Sequence, residues 1–193
     1  MRREILVFPD PSLARKAAPV AAVDGRIRAL IRDMFETMYA AEGVGLAANQ
    51  VGVGKRVVVL DVSPVDETIA PFAVVNPEIV SRSGSVTGVE GCLSVPGVQG
   101  EVCRAETVEV RGMDEQGNPL RIQAAGILSR ALQHEIDHLD GILFIERVSS
   151  SATASAKGSA RPPVPGPPGC ARCSWGRRGS PSLPSPPSRK RWT

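Results

Sequence analysis

The sequence predicts an α+β domain in which antiparallel β-sheets pack around one central helix, followed by a disordered tail. Apolar and alternating strand patterns occupy the middle of the chain, and a strongly periodic helix follows them. Strands followed by a helix, without regular alternation of the two, are typical of α+β folds. The last 45 residues contain no acidic residue and nine of the 17 prolines, a composition that cannot support a packed core.

The first helix is predicted to begin after Asp24, a plausible N-cap, and to be closed by Gly43. Its buried stripe recurs at three- and four-residue steps and consists of Ile27, Leu30, Ile31, Met34 and Met38. Residues 2–8 are expected to form a short strand before Pro9. The glycine-rich segment 43–52 is then expected to be a tight loop between the helix and the next strand.

Alternation and valine content predict the remaining strands. They are residues 56–62, 72–75, 101–111 and 120–124. Asn76–Pro77 is expected to end the strand at 72–75, with residues 79–80 as a continuation beyond it. A turn signal at 114–119 joins the last two into a hairpin. The later helix spans 126–139, and a short final element is expected at 142–145.

Length, charge and composition divide the 193 residues into a domain at 1–148 and a disordered tail at 149–193. The first segment has 15 basic and 20 acidic residues, a net charge of −5, whereas the tail has eight basic residues and no acid. No apolar run approaches the roughly 20 residues of a membrane span, and no secretory signal is expected. We therefore expect a cytoplasmic monomer whose cysteines form no disulfides.

The only two histidines, His134 and His138, lie four residues apart, so a helix projects both from one face. With Glu135 they form His-Glu-x-x-His, in which two histidines bind a metal and the glutamate moves protons for a water that the metal activates. Chance spacing on a solvated helix is the alternative. The helical periodicity of the flanking apolar residues favours a metal site.

Such a site needs a third protein ligand. Peptidases with this motif use a downstream His or Glu, but no His follows here and the last carboxylate is Glu146. Cys92, on a glycine-flanked turn upstream, is the better candidate, since a thiolate and two imidazoles leave a fourth tetrahedral position open. A buried, inert cysteine is the alternative for Cys92 taken alone. A metallopeptidase built on the same helix is the closest alternative function.

The segment 43–52 reads Gly-Val-Gly-Leu-Ala-Ala-Asn-Gln-Val-Gly. Its glycines allow close backbone approach to a ligand, and the missing Gly-Lys-Ser/Thr excludes a phosphate-binding loop. Gln50 supplies an amide that could donate to an oxyanion. Taken alone, a loop with an exposed Gln50 is the simpler interpretation.

Together these segments resemble the peptide deformylases. The family patterns Gly-x-Gly-Leu-Ala-Ala-x-Gln, Glu-Gly-Cys-Leu-Ser and Gln-His-Glu-x-Asp-His stand intact at 43–50, 90–94 and 133–138. The resemblance covers residues 1–148 and not the tail. It implies the deformylase fold with a central metal-binding helix, and a hydrolase that removes the formyl group from the N-terminal formyl-methionine of nascent proteins and releases formate.

The resemblance also implies a role for each candidate residue. The metal ligands would be Cys92, His134 and His138. Glu135 would accept the proton of the attacking water and pass it to the leaving amine. The metal would be Fe²⁺, although thiolate and imidazole also suit Zn²⁺ or another divalent cation.

Around the metal, Gln50 and the backbone N–H of Leu93 would stabilise the oxyanion. Val44, Gly45 and Gln99 would contact the substrate. Some family members have an arginine at the position of Gln99, so substrate affinity is expected to differ there. Residues 128–132 are candidates for the methionine pocket, with core packing as the alternative.

Glu90 and Arg104 resemble the structural ion pair of the family. Asp137 either orients a metal ligand or faces solvent. In the tail, Arg177–Arg178 and residues 189–191 could contact ribosomal RNA, although a charge run in a tail is usually only solvated. A basic-tailed binding module with a vestigial metal site is therefore a second functional class, whereas Cys170 and Cys173 form only half of a zinc-binding pattern.

Overall fold

The computed structural model of the chain describes residues 1–148. Five antiparallel strands form one sheet in the order β1-β2-β3-β6-β7, and β4 and β5 form a separate hairpin. The strands are β1 Gly45–Ala47, β2 Val57–Leu60, β3 Phe72–Ser83, β4 Val86–Cys92, β5 Val95–Arg104, β6 Thr107–Met113 and β7 Pro119–Ala125. The helices are α1 Gly25–Ala40 and α2 Gly126–Leu139, with 3₁₀ turns at Pro11–Ala14, Ala48–Val51 and Phe144–Glu146. The predicted α+β class with antiparallel sheets is confirmed.

Capping interactions define the ends of α1. The side chain of Asp24 accepts hydrogen bonds from the backbone N–H groups of Arg26 and Ile27, both at 2.9 Å, as predicted for an N-cap. At the other end the left-handed residue is Glu42, with φ of 57°, and not Gly43. The N–H of Gly43 instead donates to the carbonyl of Met38 at 3.0 Å, which closes a Schellman motif.

The β1–β2 end of the five-stranded sheet is buried on both faces because α1 packs on one face and α2 on the other. In β2, Val57 and Val59 pack towards α1, whereas Val58 and Leu60 pack towards α2. All four side chains are fully buried. This arrangement explains a continuous apolar run where a strand with one solvated face would alternate.

Helix α2 is buried from Leu128 to Leu139 because it lies between the sheet and the β4–β5 hairpin. Leu132 and Ile136 belong to the core cluster under the sheet. On the hairpin side, Arg130 donates to the carbonyls of Val86 and Val102. The helix thus has protein on opposite faces over three turns.

The prediction of a single strand at 101–111 is wrong, since β5 ends at Arg104 and β6 begins at Thr107 in the other sheet. The backbone of Ala105 bonds side chains of α2 at this break. Its N–H donates to Oε1 of Gln133 at 3.0 Å, and its carbonyl accepts from Nε2 of Gln133 at 2.9 Å and from Oγ of Ser129 at 3.0 Å. The helix therefore redirects a chain whose local pattern reads as one continuous strand.

Two other predictions need correction, and one strand was missed. Residues 2–8 form no strand; the segment is tied by single bonds, from Leu6 N–H to the carbonyl of Gln50 and from Phe8 N–H to that of Ser94, both 2.8 Å. Strand β3 does not end at residues 76–77, because a register shift carries it past them. Strand β4 was not predicted, as its Gly88 and Gly91 resemble a turn.

No helix within residues 1–148 is long and apolar enough to cross a membrane. The predicted tail, its basic clusters, Cys170 and Cys173 lie outside the described residues.

Candidate active site

Three potential metal ligands from two elements converge beneath the hairpin. Sγ of Cys92 and ring nitrogens of His134 and His138 lie within 4.8 Å of one another, and Sγ is 3.1 Å from Nε2 of His138. Cys92 ends β4, and the histidines occupy successive turns of α2. All three are buried, and residues 1–148 contain no second cluster of this kind.

The orientation of His134 is set by Glu90. Nδ1 of His134 lies 3.0 Å from Oε2 of Glu90, which leaves Nε2 as the nitrogen facing the cluster. Nε2 is buried and has no hydrogen-bond partner among the described residues. A buried, unsatisfied polar group costs about 1–3 kcal/mol, and a metal on Nε2 with a carboxylate on the other nitrogen is a common arrangement. The residues present therefore fit a divalent metal.

The two histidines have opposite proton affinities. Burial alone lowers the pKa of His134, but the neighbouring Cys92 sulfur and the Glu90 carboxylate raise that pKa to about 10. Burial lowers the pKa of His138 well below its usual range, and the charges of His134 and Arg104 lower it further. Because histidine binds metals as neutral imidazole, both rings would be neutral in a metal-loaded site.

Glu90 is the buried anion behind His134. Nε and Nη2 of Arg104 donate to its two oxygens, both at 2.9 Å, in a bidentate pair. Nη1 of Arg130 donates to Oε1 at 2.7 Å. Burial raises the pKa of Glu90, but the hydrogen bonds from Arg104 and His134 outweigh this and hold that pKa well below its ordinary value.

Asp137 extends the network along α2. It accepts from Nη1 of Arg104 and from Arg147, whose Nε and Nη2 lie 2.5 and 2.6 Å from its oxygens. The side chain of Asp137 is only 13% exposed, so the solvent-facing alternative does not apply. The side chain of Asp137 therefore bonds Arg104 and Arg147 and none of the candidate metal ligands. Its link to the site runs through Arg104, which binds Glu90.

Gln50 is fully buried, contrary to the simple loop interpretation. Its Oε1 accepts from the N–H of Ala47 at 2.8 Å, so Nε2 is aimed at the hairpin. Nε2 donates to Oγ of Ser94 at 3.1 Å and lies 3.7 Å from Sγ of Cys92. The glycine-rich segment thus folds as β1 and a 3₁₀ turn, and it brings an amide donor to the metal-ligand cluster.

Glu135 lies against the backbone of β1. A Cβ atom added at Gly45 would be 2.6 Å from Oε1 of Glu135 and 3.0 Å from its carboxyl carbon. Glu135 is fully buried on α2, beside His134. Glycine at position 45 therefore gives the carboxylate its space.

The other predicted residues lie around this centre. Val44 is buried immediately before β1, and Leu93 is the first of two turn residues that join β4 to β5. Gln99 is exposed on β5 opposite Gly91 and bonds none of the candidate ligands. Within 128–132, the apolar residues Leu128, Ala131 and Leu132 belong to the core cluster under the sheet, which favours core packing over a pocket.

Two interacting residues were missed from the sequence. Arg130 binds Glu90 and three hairpin carbonyls, and Asn49 donates to the carbonyl of His138 at the end of α2. Arg130 stands four residues before His134, so its position on the same helical face was available as a signal. Asn49 occupies the unspecified position of the glycine-rich pattern and had no such signal.

Comparison with known proteins agrees with this geometry. The polypeptide deformylase family model matches residues 2–154. The peptide deformylase of Alkalilimnicola ehrlichii is 52% identical over 146 residues, which cover 76% of this chain and 82% of that protein. The crystal structure of a deformylase from Legionella pneumophila has a TM-score of 0.74 at 46% identity and covers 78% of this chain and 88% of that chain.

A second solved structure, of the Synechococcus elongatus deformylase in complex with actinonin, also has a TM-score of 0.74, at 44% identity, and covers 77% of this chain and 81% of that one. The matches thus span most of the described domain and most of each relative. The chain belongs to the peptide deformylases, metal-dependent hydrolases that remove the formyl group from the N-terminal formyl-methionine of nascent proteins.

Proposed function

We propose that the chain is an active deformylase in which Cys92, His134 and His138 hold one divalent metal. The observation that carries this assignment is the convergence of three buried donor atoms within 4.8 Å. Nε2 of His134 has no hydrogen-bond partner among the described residues, which further supports it. When bound, the cation supplies Lewis acidity and lowers the pKa of water.

We assign proton transfer to Glu135. Its carboxylate accepts the proton of the attacking water and delivers it to the amine nitrogen as the formyl C–N bond breaks, so the products are formate and a free amino terminus. Burial of Glu135 beside His134 and against β1 supports this role, because a base must lie within reach of the reacting atoms.

Stabilisation of the oxyanion is assigned to Gln50 and to the backbone N–H of Leu93. The amide of Gln50 is held by Ala47 and points its Nε2 towards Cys92 and Ser94. Leu93 directly follows Cys92 at the turn of the hairpin. The held amide of Gln50 and a backbone donor next to Cys92 can meet charge that develops on the formyl oxygen.

The N-formyl-methionyl peptide is proposed to lie along Val44 and Gly45. Strand β1 is an edge of the five-stranded sheet, so one side of its backbone is not taken up by another strand of residues 1–148. Gln99, exposed on β5, is proposed to contact the peptide with an uncharged amide. A cytoplasmic location follows from a substrate that is a nascent chain.

Iron(II) is the proposed native metal, with zinc as the alternative. The decisive experiment is formate release from a formyl-methionyl peptide by an anaerobic preparation, with metal analysis of the same sample. After chelation, iron(II) should restore more turnover than zinc. Equal or greater turnover with zinc under anaerobic conditions would reverse the order of the two metals, and no formate release with any metal would overturn the proposed activity.

Residues 1–148 are proposed to form the catalytic domain of a monomer, and residues 149–193 a separate tail. Support for the division comes from composition, since the tail combines eight basic residues with nine prolines and no acid. Contact between these basic residues and ribosomal RNA is a further part of the proposal. Such contact would weaken as salt rises, because binding to phosphates releases counterions.

A further inference from the structure

The buried guanidinium of Arg130 connects the element that carries Cys92 to the helix that carries the histidines. Arg130 lies on α2, one turn before His134, and is 7% exposed. Its Nη1 donates to Oε1 of Glu90 at 2.7 Å and to the carbonyl of Val102 at 3.0 Å. Its Nη2 donates to the carbonyl of Val86 at 2.9 Å. One side chain of α2 therefore bonds both strands of the hairpin and the anion that orients His134.

The hairpin is shaped to receive this side chain. A Cβ atom at Gly88 would lie 3.0 Å from Nη2 of Arg130 and 3.1 Å from its Cζ, so the glycine lets the guanidinium approach β4. The planar fork of arginine suits several acceptors at once, which a single ammonium group cannot reproduce. Because the hydrogen bonds are charge-assisted and buried, they are stronger than those between neutral groups.

Arg130 and Arg104 act on Glu90 from different elements. Arg104 and Glu90 both belong to the hairpin, so their bidentate pair stiffens it internally. Arg104 reaches α2 through Asp137, on the C-terminal side of His134. Arg130 reaches the hairpin from the N-terminal side. The two contacts therefore hold the hairpin against α2 on both sides of the first histidine.

We propose that Arg130 is a positioning residue for the metal site, which sets the location of Cys92 relative to His134 and His138 and holds Glu90 against His134. The inference rests on the metal assignment proposed above. A neutral side chain at this position would leave the hairpin carbonyls of Val86 and Val102 without their donor. Sγ of Cys92 and the ring nitrogens of the two histidines would then lie at metal-binding distances in a smaller fraction of the molecules.

The test is a titration of the metal-free, full-length protein with cobalt(II). Binding is monitored by the thiolate-to-cobalt absorption band, which reports the bond to Cys92 and requires no measurement of turnover. Arg130→Met should weaken cobalt binding about 10- to 100-fold, the usual range for partners behind metal ligands. Arg130→Lys should recover part of this loss, because it keeps the charge but not the fork. Arg111→Met, which removes an exposed pair with Glu78, is the matched control and should bind as the wild type does.

A folded Arg130→Met protein with wild-type cobalt affinity and an unchanged band would overturn the inference. If that variant does not fold, Arg130→Lys decides: weaker binding supports the inference, and wild-type binding overturns it. Cys92→Ala separates the two proposals. If Cys92→Ala binds cobalt normally, the metal assignment fails. If Cys92→Ala loses cobalt while the Arg130 variants bind it as the wild type does, only the positioning role of Arg130 fails.

Discussion

Nδ1 of His134 lies 3.0 Å from Oε2 of Glu90, and both side chains are buried between α2 and the hairpin. The carboxylate that orients this histidine is itself held by Arg104 and Arg130. The three candidate metal ligands thus lie beside a charged network in which Glu90 is paired with Arg104 and Arg130. Loss of one member should affect both the metal site and the stability of the fold.

Glu90 predicts a pH dependence of stability. Burial raises its pKa, but hydrogen bonds from Arg104 and His134 hold the folded-state pKa well below the ordinary value. Such a group stabilises the folded state above its unfolded pKa, about 4.3, and this stabilisation is lost as pH falls towards the folded pKa. Glu90→Gln should therefore lower the free energy of unfolding by about 3–5 kcal/mol at pH 7, as expected when a buried pair loses one partner.

Denaturant unfolding of the metal-free protein between pH 3 and 7 measures this difference. The difference in free energy of unfolding between the wild type and Glu90→Gln should become smaller below a pH of about 4, where the carboxyl group of Glu90 in the unfolded chain binds a proton. Glu115→Gln, at an exposed turn, is the control and should show neither the loss nor the narrowing. A Glu90→Gln protein as stable as the wild type at pH 7 would contradict the network.

Cys92 and Cys103 provide a matched pair of variants to test the proposed metal site. Cys92 is buried beside the histidines, whereas Cys103 is exposed on β5. Cys92→Ala should abolish stoichiometric metal binding, and Cys103→Ala should leave the metal content unchanged. Metal analysis of the purified variants decides, and wild-type metal content in Cys92→Ala would show that the ligand assignment is wrong.

Glu135→Gln tests proton transfer separately from metal binding. The amide cannot accept the proton of the attacking water, so turnover should fall by a factor of at least about 10². The metal should remain, because Glu135 is not one of the three proposed ligands. Formate release and metal content are measured on one preparation, with Glu115→Gln as the control. Near wild-type turnover would remove Glu135 from the mechanism.

Gly45→Ala tests the space beside Glu135. The new Cβ would lie 2.6 Å from Oε1 of Glu135, so the carboxylate must move. Since the displaced atom ends a flexible side chain, we expect little change in melting temperature but a loss of turnover of about 10²-fold, the cost of a misplacement near 1 Å. Gly54→Ala meets no atom within 4 Å and should retain full activity. Unchanged turnover in Gly45→Ala would argue against a catalytic carboxylate at this place.

Truncation tests the domain boundary. A chain that ends at Ser149 should keep its melting temperature and its turnover on short formyl peptides. A chain that ends at Glu146 should be less stable, because Arg147 binds Asp137 and Val148 pairs with Val102. A marked loss of stability on removal of residues 150–193 would show that the tail packs on the domain.

If the tail contacts ribosomes, its removal should weaken that association in a salt-dependent way.

The sequence by itself determined the elements whose signals are local. The Asp24 cap and the apolar stripe predicted α1. The four-residue spacing of His134 and His138 predicted that both side chains project from the same face of α2. These features depend on hydrogen bonds and side-chain periods within a few residues of one chain segment, so they can be read from the order of residue types.

Tertiary structure decided what joins distant segments. Cys92 contacts His138, 46 residues later in the chain. Gln133 bonds the backbone at Ala105 and so interrupts a pattern that predicts one strand from 101 to 111. Arg130 points towards the hairpin, although an arginine on a helix usually faces solvent. Gln50 is buried for the same kind of reason, since its partners Ser94 and Cys92 come from another element. Each outcome depends on which surfaces pack together and in which register, and packing satisfies buried polar groups with partners that no local pattern specifies.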